Sequence, residues 1–464
     1  MDPPADGNLD HRAGLLTCVQ TFPSGRAPGS REPATLSLEP FRAVRYCPDR
    51  VSGIAEVTSP PYDVIGSAAV ARLRAADPCN VVRLILPRTD PAEAGDGSGD
   101  AATTLKEWLA DGVLAQDPEP ALYAYEQRDE DGRVLQRGLI GGVGLSPPED
   151  GVVLPHEDVM PGPVAGRLHL MEAVRANLEP IFLLYDGADG PAAGLSAATA
   201  LVDEVAATRP PLVDVTTEDS LTHRLWAITG TGELATIAAD LAPRRALIAD
   251  GHHRYAAYLE LRSRMRAAGA GQGPWDQGLA LLVDSAAYPP RIDPIHRVIP
   301  GLPAADAVAR AAAGFQVTPA GTSLDDALTA LAGAGRRGPA FLIGAAGQEL
   351  HLLTDPDPAE AAAAMPEGRS PHWRGLDAAI LQRLLIGRLW GIRDDPSTVR
   401  VVHHDAGAAV LAAAESGGTA VICNPVSAAD VTAVAADGER VPRKSTSFGP
   451  KPRTGLVIRI FDQA

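Results

Sequence analysis

Residues 246–249, ALIA, run without a break into Asp250-Gly251-His252-His253-Arg254, after which Tyr258, Leu261 and Met265 recur at helical spacing with Tyr255 beside them. An uninterrupted apolar run is a candidate buried strand, Asp-Gly supplies a turn, and a period near 3.6 calls for a helix. This stretch therefore requires strand, turn and helix in immediate succession. Its polar residues fall where the backbone changes from one to the other.

The rest of the chain follows the same alternation. Residues 67–76 have helical spacing, and the β-branched run NVVRLILP (80–87) predicts a short buried strand. Before them PPYDVI (60–65) places two prolines where a central strand is excluded. RTDPAEAGDGSGD (88–100) is a predicted loop, followed by a helix ending at Gly112. ALYAYEQR and RGLIGGVGL are two strands joined through DEDG, a hairpin signal. Residues 156–185 give a loop, a helix and a strand; RLWAI, GLALLVDS, PAFLIGA and TAVICNPV predict further strands. Strands and helices alternate with no repeat of 20 to 50 residues, so the expected class is α/β, or mixed α+β, with mixed sheets because hairpins and crossovers both occur. We expect a disordered extension over residues 1–38, a first domain over 39–300 and a C-terminal α/β domain over 301–464.

At the turn, the first amides of the helix have no acceptor within it and the helix dipole is positive, which favours an anion. Gly251 admits close approach to the backbone, and His252, His253 and Arg254 add donors. The plainer alternative is a capped helix start, with Asp250 as cap and the histidines merely polar. Adjacent histidines point apart at a helix start, so HH is a poor metal pair. Asp250 together with substrate phosphates suits Mg2+, which needs only one or two carboxylates.

Three other stretches carry chemistry. Residues 440–459 contain Arg440, Arg443, Lys444, Lys451, Arg453 and Arg459 without an acidic residue, in a chain of formal charge −17. Lys444, Ser445, Thr446 and Lys451 would offer ammonium, hydroxyl and amide donors to an anion, although no glycine-rich phosphate loop precedes them. LPHEDVMPGPVAGR brings His156, Glu157 and Arg167 into a loop before a helix, where a His-Glu pair serves as base and orienter or as ligands. Asp63 follows the rigid Pro-Pro pair and can present a carboxylate, and His296-Arg297 in PIHRVI offers a similar polar pair within an apolar run. Turn capping, solvated loops and core packing are the structural alternatives for these stretches.

The acidic balance argues against broad contact with nucleic acid or an anionic membrane. Cys18, Cys47, Cys79 and Cys423 are widely spaced with no CxxC pair, which suggests neither a disulfide framework nor a thiolate zinc site. MDPPADGNLDHRAG lacks the features of a signal peptide, and the expected location is the cytoplasm. Oligomeric state is left open.

DGHHR followed by an alanine-bearing helix resembles the signature turn of the ParB/sulfiredoxin-like superfamily. More extensively, PPYDVI, NVVRLILP, ALYAYEQ, GVVLPHE with PGP and RL, ANLEPIFLLY, ADGHHRY, PIHRVI and the closing VPRKSTSFGPK with GLV resemble, in that order, the family called domain of unknown function 1015, over residues 39–458. The superfamily resemblance implies a core that holds nucleotide phosphates at the turn, here with about 190 residues inserted between PPYDVI and DGHHR. Its members include free-serine kinases, nucleotide-hydrolysing partition proteins and ATP-using sulfinic-acid reductases; the last use a cysteine in the turn, which this chain lacks. The implied function is a nucleotide-dependent phosphotransferase, with ATP or ADP as donor, acting on a small hydroxylated metabolite, for instance a free amino acid such as serine. In that reading Asp250 binds metal or orients the nucleophile, and Glu157 or Asp63 is the base. Gly251, His252, His253 and Arg254 hold phosphates, helped by His156, Arg167, His296, Arg297 and the Lys444–Lys451 loop. A nucleotide-binding regulator without turnover and a phosphoester hydrolase are the alternatives.

Overall fold

Apolar runs and the turns between them resolve into two sheets in the computed structural model, which describes residues 34–88, 96–188, 194–395 and 397–461. The expected N-terminal extension lies outside the described residues up to residue 33. Its last part is a correction: Leu36 and Leu38 are buried, and β1 (Leu38–Glu39) pairs antiparallel with the strand over residues 134–144. A single apolar–polar–apolar alternation over Leu36, Ser37 and Leu38 is too short to announce a strand from sequence.

Among the described residues the first sheet has nine strands. After β1 they are β2 (Leu122–Arg128), β3 (Val134–Gly144), β4 (Val153–Leu154), β5 (Ile181–Tyr185), β6 (Val213–Thr216), β7 (Thr222–Ile228), β8 (Ala246–Asp250) and β9 (Gln277–Asp284). Their order is β4-β8-β5-β9-β3-β2-β7-β6, with β1 joined to β3. The pairs β8/β4 and β9/β5 are parallel and the others antiparallel, so the sheet is mixed, as the coexistence of hairpins and crossovers predicts. All five residues of β8 and of β5 are buried, which is why neither shows alternation. Helices α1 (Pro161–Val174) and α2 (His252–Ala267) pack on one another, and the Tyr255, Tyr258 and Leu261 stripe of α2 enters the core below the sheet, with Met265 half-buried against it.

A second sheet, fully antiparallel, contains β10 (Ile295–Ile299), β11 (Gln316–Gly321), β12 (Phe341–Gly344), β13 (Leu350–Thr354), β14 (Arg400–His403) and β15 (Thr419–Cys423) in the order β11-β13-β12-β15-β10-β14. The chain then returns to the first sheet. Phe448–Gly449 pairs with Arg291–Ile292, Thr454 bridges to Ser59, and Arg459–Ile460 pairs with Ala176–Asn177. Residues 452–459 of the basic segment are thereby buried, while Arg443 and Lys444 stay exposed.

Two local expectations are corrected. Residues 82–85 of NVVRLILP form one helical turn, with Val82, Leu84 and Ile85 buried. Asn80 dictates this: its Oδ1 accepts from Val82 N at 2.9 Å while its amide donates to the Glu56 and Thr58 carbonyls, which turns the chain before a strand can extend. The loop expected over residues 88–100 falls partly outside the described residues, and its last part is already helical from Ser98. Among the described residues no helix is long and apolar enough to cross a membrane.

Candidate active site

The turn after β8 is shaped by two backbone devices. Between Ile248 and Asp250 the register against β5 shifts, Ile248 facing Leu183 and Asp250 facing Phe182, so Ala249 is an extra residue. Such a bulge re-aims the side chain that follows it, here Asp250 at the mouth of α2. Gly251 then adopts φ 96°, and a Cβ there would lie 2.9 Å from Ile181 Cγ2 and 3.1 Å from Arg254 Nε. Only glycine meets that conformation without strain. The chain can thus enter α2 with Arg254 folded back over its own first turn.

Arg254 is buried, pairs with Asp250 Oδ2 and donates to the Pro180 carbonyl at 2.7 Å. Burial opposes its charge, but Asp250, Glu179 and Asp63 outweigh it and raise its pKa. The other oxygen, Asp250 Oδ1, lies 2.5 Å from Lys451 Nζ, which is also 2.7 Å from Asp63 Oδ2. Two carboxylates from β8 and the PPYDVI turn therefore converge on one cation from the closing segment. Burial would lower the Lys451 pKa, yet the two carboxylates raise it. Burial likewise works against Asp63, and Lys451 with Arg254 nevertheless holds its pKa below the usual carboxylate value.

Around this centre lies a second tier. Thr446 Oγ1 donates to Glu157 Oε1 at 3.0 Å and is 2.9 Å from His156 Nε2. Burial first, and then the field of Asp250 against the opposing Thr446 and Lys444, pushes the Glu157 pKa up. His156 is wholly enclosed and its pKa falls to about 3. His252 Nε2 accepts from the His156 amide at 3.2 Å and His253 Nε2 from the Met160 amide at 3.1 Å, so both histidines act as neutral acceptors that fasten the 156–160 loop to α2. Ser445 donates to the Pro442 carbonyl and shapes its own turn. Exposed Lys444 has φ 55°.

The structure thus brings together Asp63, His156, Glu157, Asp250, Gly251, His252, His253, Arg254, Thr446 and Lys451, expected from four separated stretches. Arg167 stands one layer behind: it stacks 4.2 Å from the Tyr62 ring centroid and donates to the Ile85 carbonyl at 3.0 Å. His296 and Arg297 lie apart, on β10 of the second sheet. His296 Nδ1 accepts from the Cys423 amide at 3.2 Å, and Arg297 donates to the Lys444 carbonyl at 2.9 Å, so Arg297 reaches the site only by holding the basic loop. Glu179 was not anticipated. It is buried, accepts from the Tyr62 amide at 3.0 Å and balances Arg254 and Arg167; its signal was a carboxylate beside the apolar run IFLLY.

The donor set bears on a metal. Among the described residues no group of three or more His, Cys, Asp or Glu is arranged to hold one. Asp250 and Asp63 do, however, share one cation, the Lys451 ammonium, and one or two carboxylates are what a protein commonly offers Mg2+.

Solved structures overlap in part: a free serine kinase in complex with AMP (13% identity, TM-score 0.32, covering 66% of this chain and 89% of that one), SbnI with a C-terminal truncation from Staphylococcus aureus (12%, 0.33, 69% and 87%), and a conserved hypothetical protein from Pyrococcus furiosus (12%, 0.32, 67% and 92%). No curated protein matches. The family described as "Protein of unknown function (DUF1015)" matches residues 38–379, and the chain belongs to it.

Proposed function

We propose that the protein is a nucleotide-dependent phosphotransferase acting on a small hydroxylated metabolite, with ATP or ADP as donor. The observation that carries this reading is Lys451 held between Asp63 and Asp250 at the N-terminus of α2. Phosphoryl transfer needs positioning and charge neutralisation more than covalent chemistry, and this arrangement offers both. Donor phosphates lie against the free amides of His252, His253 and Arg254 and compete for Lys451, which releases one oxygen of each carboxylate. Asp63 and Asp250 would hold Mg2+, which would supply charge neutralisation during transfer. The acceptor hydroxyl oxygen forms a bond to the terminal phosphorus, the bridging P–O bond breaks, and the nucleotide leaves shorter by one phosphate. Asp63, kept ionised by Lys451, orients the hydroxyl. Glu157, with its raised pKa, takes the proton. In this reading residues 39–300 supply the helix amides and the carboxylates, the closing segment supplies Lys451, and the C-terminal α/β part begins near residue 301, six residues after the first strand of the second sheet opens at Ile295.

The test is nucleotide consumption by the full chain with Mg2+, with and without a pool of small hydroxy compounds, for the wild type and Asp250→Asn. Acceptor-dependent loss of one phosphate is expected, reduced roughly 10³-fold in the variant. Full activity of Asp250→Asn overturns the reading; binding without consumption makes the protein a nucleotide-binding regulator, and consumption without an acceptor makes it a hydrolase.

A further inference from the structure

Lys451 has a second face. It lies on the wall of a cavity of about 310 Å³ between the PPYDVI turn, the start of β7 and the closing segment, whose lining includes Pro61, His223, Phe448 and Arg453. Arg453 is 5% exposed. Its Nε donates to Thr58 Oγ1 at 3.1 Å and its Nη2 to the Thr58 and Ala55 carbonyls at 3.2 and 3.4 Å, but its Nη1 has no hydrogen-bond partner. No carboxylate among the described residues forms an ion pair with it. Asp219, also on the cavity wall, is instead taken by the Thr217 hydroxyl at 2.5 Å, and Asp293 by Arg291 at 3.1 Å and His404 at 3.4 Å. Burial pulls the Arg453 pKa down, with Asp219, Tyr125 and Glu218 only partly offsetting it.

A buried, uncompensated guanidinium is costly, and the remedy is an anion with which it makes charge-assisted hydrogen bonds. The other side-chain donors of Arg453 are spent on neutral carbonyls and a hydroxyl, which leaves Nη1 as the one without a partner. The geometry points to a carboxylate subsite: the acceptor is a small hydroxy acid whose carboxylate binds Arg453 Nη1 in this cavity while its hydroxyl faces Lys451 and Asp63. This inference rests on the proposed phosphotransfer for the meaning of the hydroxyl, but not for the binding of the carboxylate. Free Nη1 and the lining name a carboxylate; they do not call for an amine, since both nearby acids already have partners.

Calorimetric titration of the full chain, without nucleotide, compares D-glycerate and L-serine with glycerol and ethanolamine, which keep hydroxyls and lack the carboxylate. The two acids are expected to bind at least tenfold more tightly than their counterparts, and Arg453→Lys, which keeps the charge but loses the planar fork, is expected to erase that preference. Because Arg453 also holds Thr58 and Ala55, the wild type supplies a second readout: D-glycerate should slow phenylglyoxal modification of Arg453, followed by peptide mapping, at least threefold, and glycerol should not. Equal binding of glycerate and glycerol, or no protection of Arg453, overturns the carboxylate subsite. If the acids bind but no phosphate moves, only the phosphotransferase reading falls; if phosphate moves to glycerol as readily as to glycerate, only this one does.

Discussion

The two sides of Lys451 differ in how their charge is settled. Toward the turn, Asp250 pairs with both Arg254 and Lys451, Asp63 takes the remaining reach of the ammonium, and Glu179 lies behind. Toward the cavity, Arg453 is equally buried and has no ion pair among the described residues. Burial works against both charges; the surrounding carboxylates overcome it at Arg254, whose pKa rises, and fail to at Arg453, whose pKa falls. Both arginines are enclosed by protein, so burial alone does not mark a binding residue. What marks it is a buried charge with no counterpart among the described residues.

The sharpest way to break this contrast is to remove the shared lysine. Lys451→Met leaves Asp63 and Asp250 facing one another without their common cation; phosphoryl transfer should fall by about 10³-fold. The Asp63 carboxyl, now relieved of its lysine, should titrate at higher pH, visible by NMR as an upward shift of its pKa. Transfer within tenfold of the wild type would show that the turn side works without the lysine.

A smaller effect isolates the turn alone. Gly251→Ala must adopt φ 96° with its Cβ 2.9 Å from Ile181, and should cost about 2 kcal/mol of stability by denaturant unfolding. Carboxylate binding in the cavity should persist in this variant. Unchanged stability would mean that the turn relaxes freely.

The smallest expected effect compares histidines from the two sides. Burial lowers the pKa of His156, beside the turn, to about 3 and that of His223, beside the cavity, to about 4, from 6.5 for both. A depressed folded-state pKa contributes stability that is complete above 6.5 and is lost as pH falls from 6.5 toward 3 or 4. Each should contribute a slope of about 1.4 kcal/mol per pH unit. Denaturation midpoints between pH 7 and 5 read this, with His156→Gln and His223→Gln each removing its share; a flat profile contradicts neutral buried histidines on both sides.

How much of this could be read from the residues depends on sequence distance. The β8–turn–α2 unit was legible because its strand, glycine and helical stripe are contiguous, and the basic run 440–459 because six cations stand together. That the two meet was suggested only by resemblance, since nothing local connects Lys451 to Asp63, 388 residues away. NVVRLILP was misread because a fully buried run of that length has no period to distinguish strand from helical turn, and Asn80 decided it through bonds to Glu56 and Thr58. The strands β11, QVTPAG, and β13, LHLLT, were missed because one is polar and interrupted by proline and the other short. His296 and Arg297 looked like a second polar pair in an apolar run, as His253 and Arg254 do; only tertiary contacts show that one pair organises the turn and the other props the loop. Arg453 was visible as one charge among six, whereas its missing partner is a property of the folded chain.

The pairing of the closing segment with residues far back in the chain has a consequence for the order of events in folding. The turn, Arg254 and Asp250 are made by neighbours in sequence, but Lys451 reaches Asp63 only by closing a loop of 388 residues, among the most expensive and slowest contacts a chain of this length can form. Phosphate-binding competence should therefore appear last. A ribosome-bound chain halted before residue 451 would carry the turn and its acids without their shared cation, so binding reports completion of the fold.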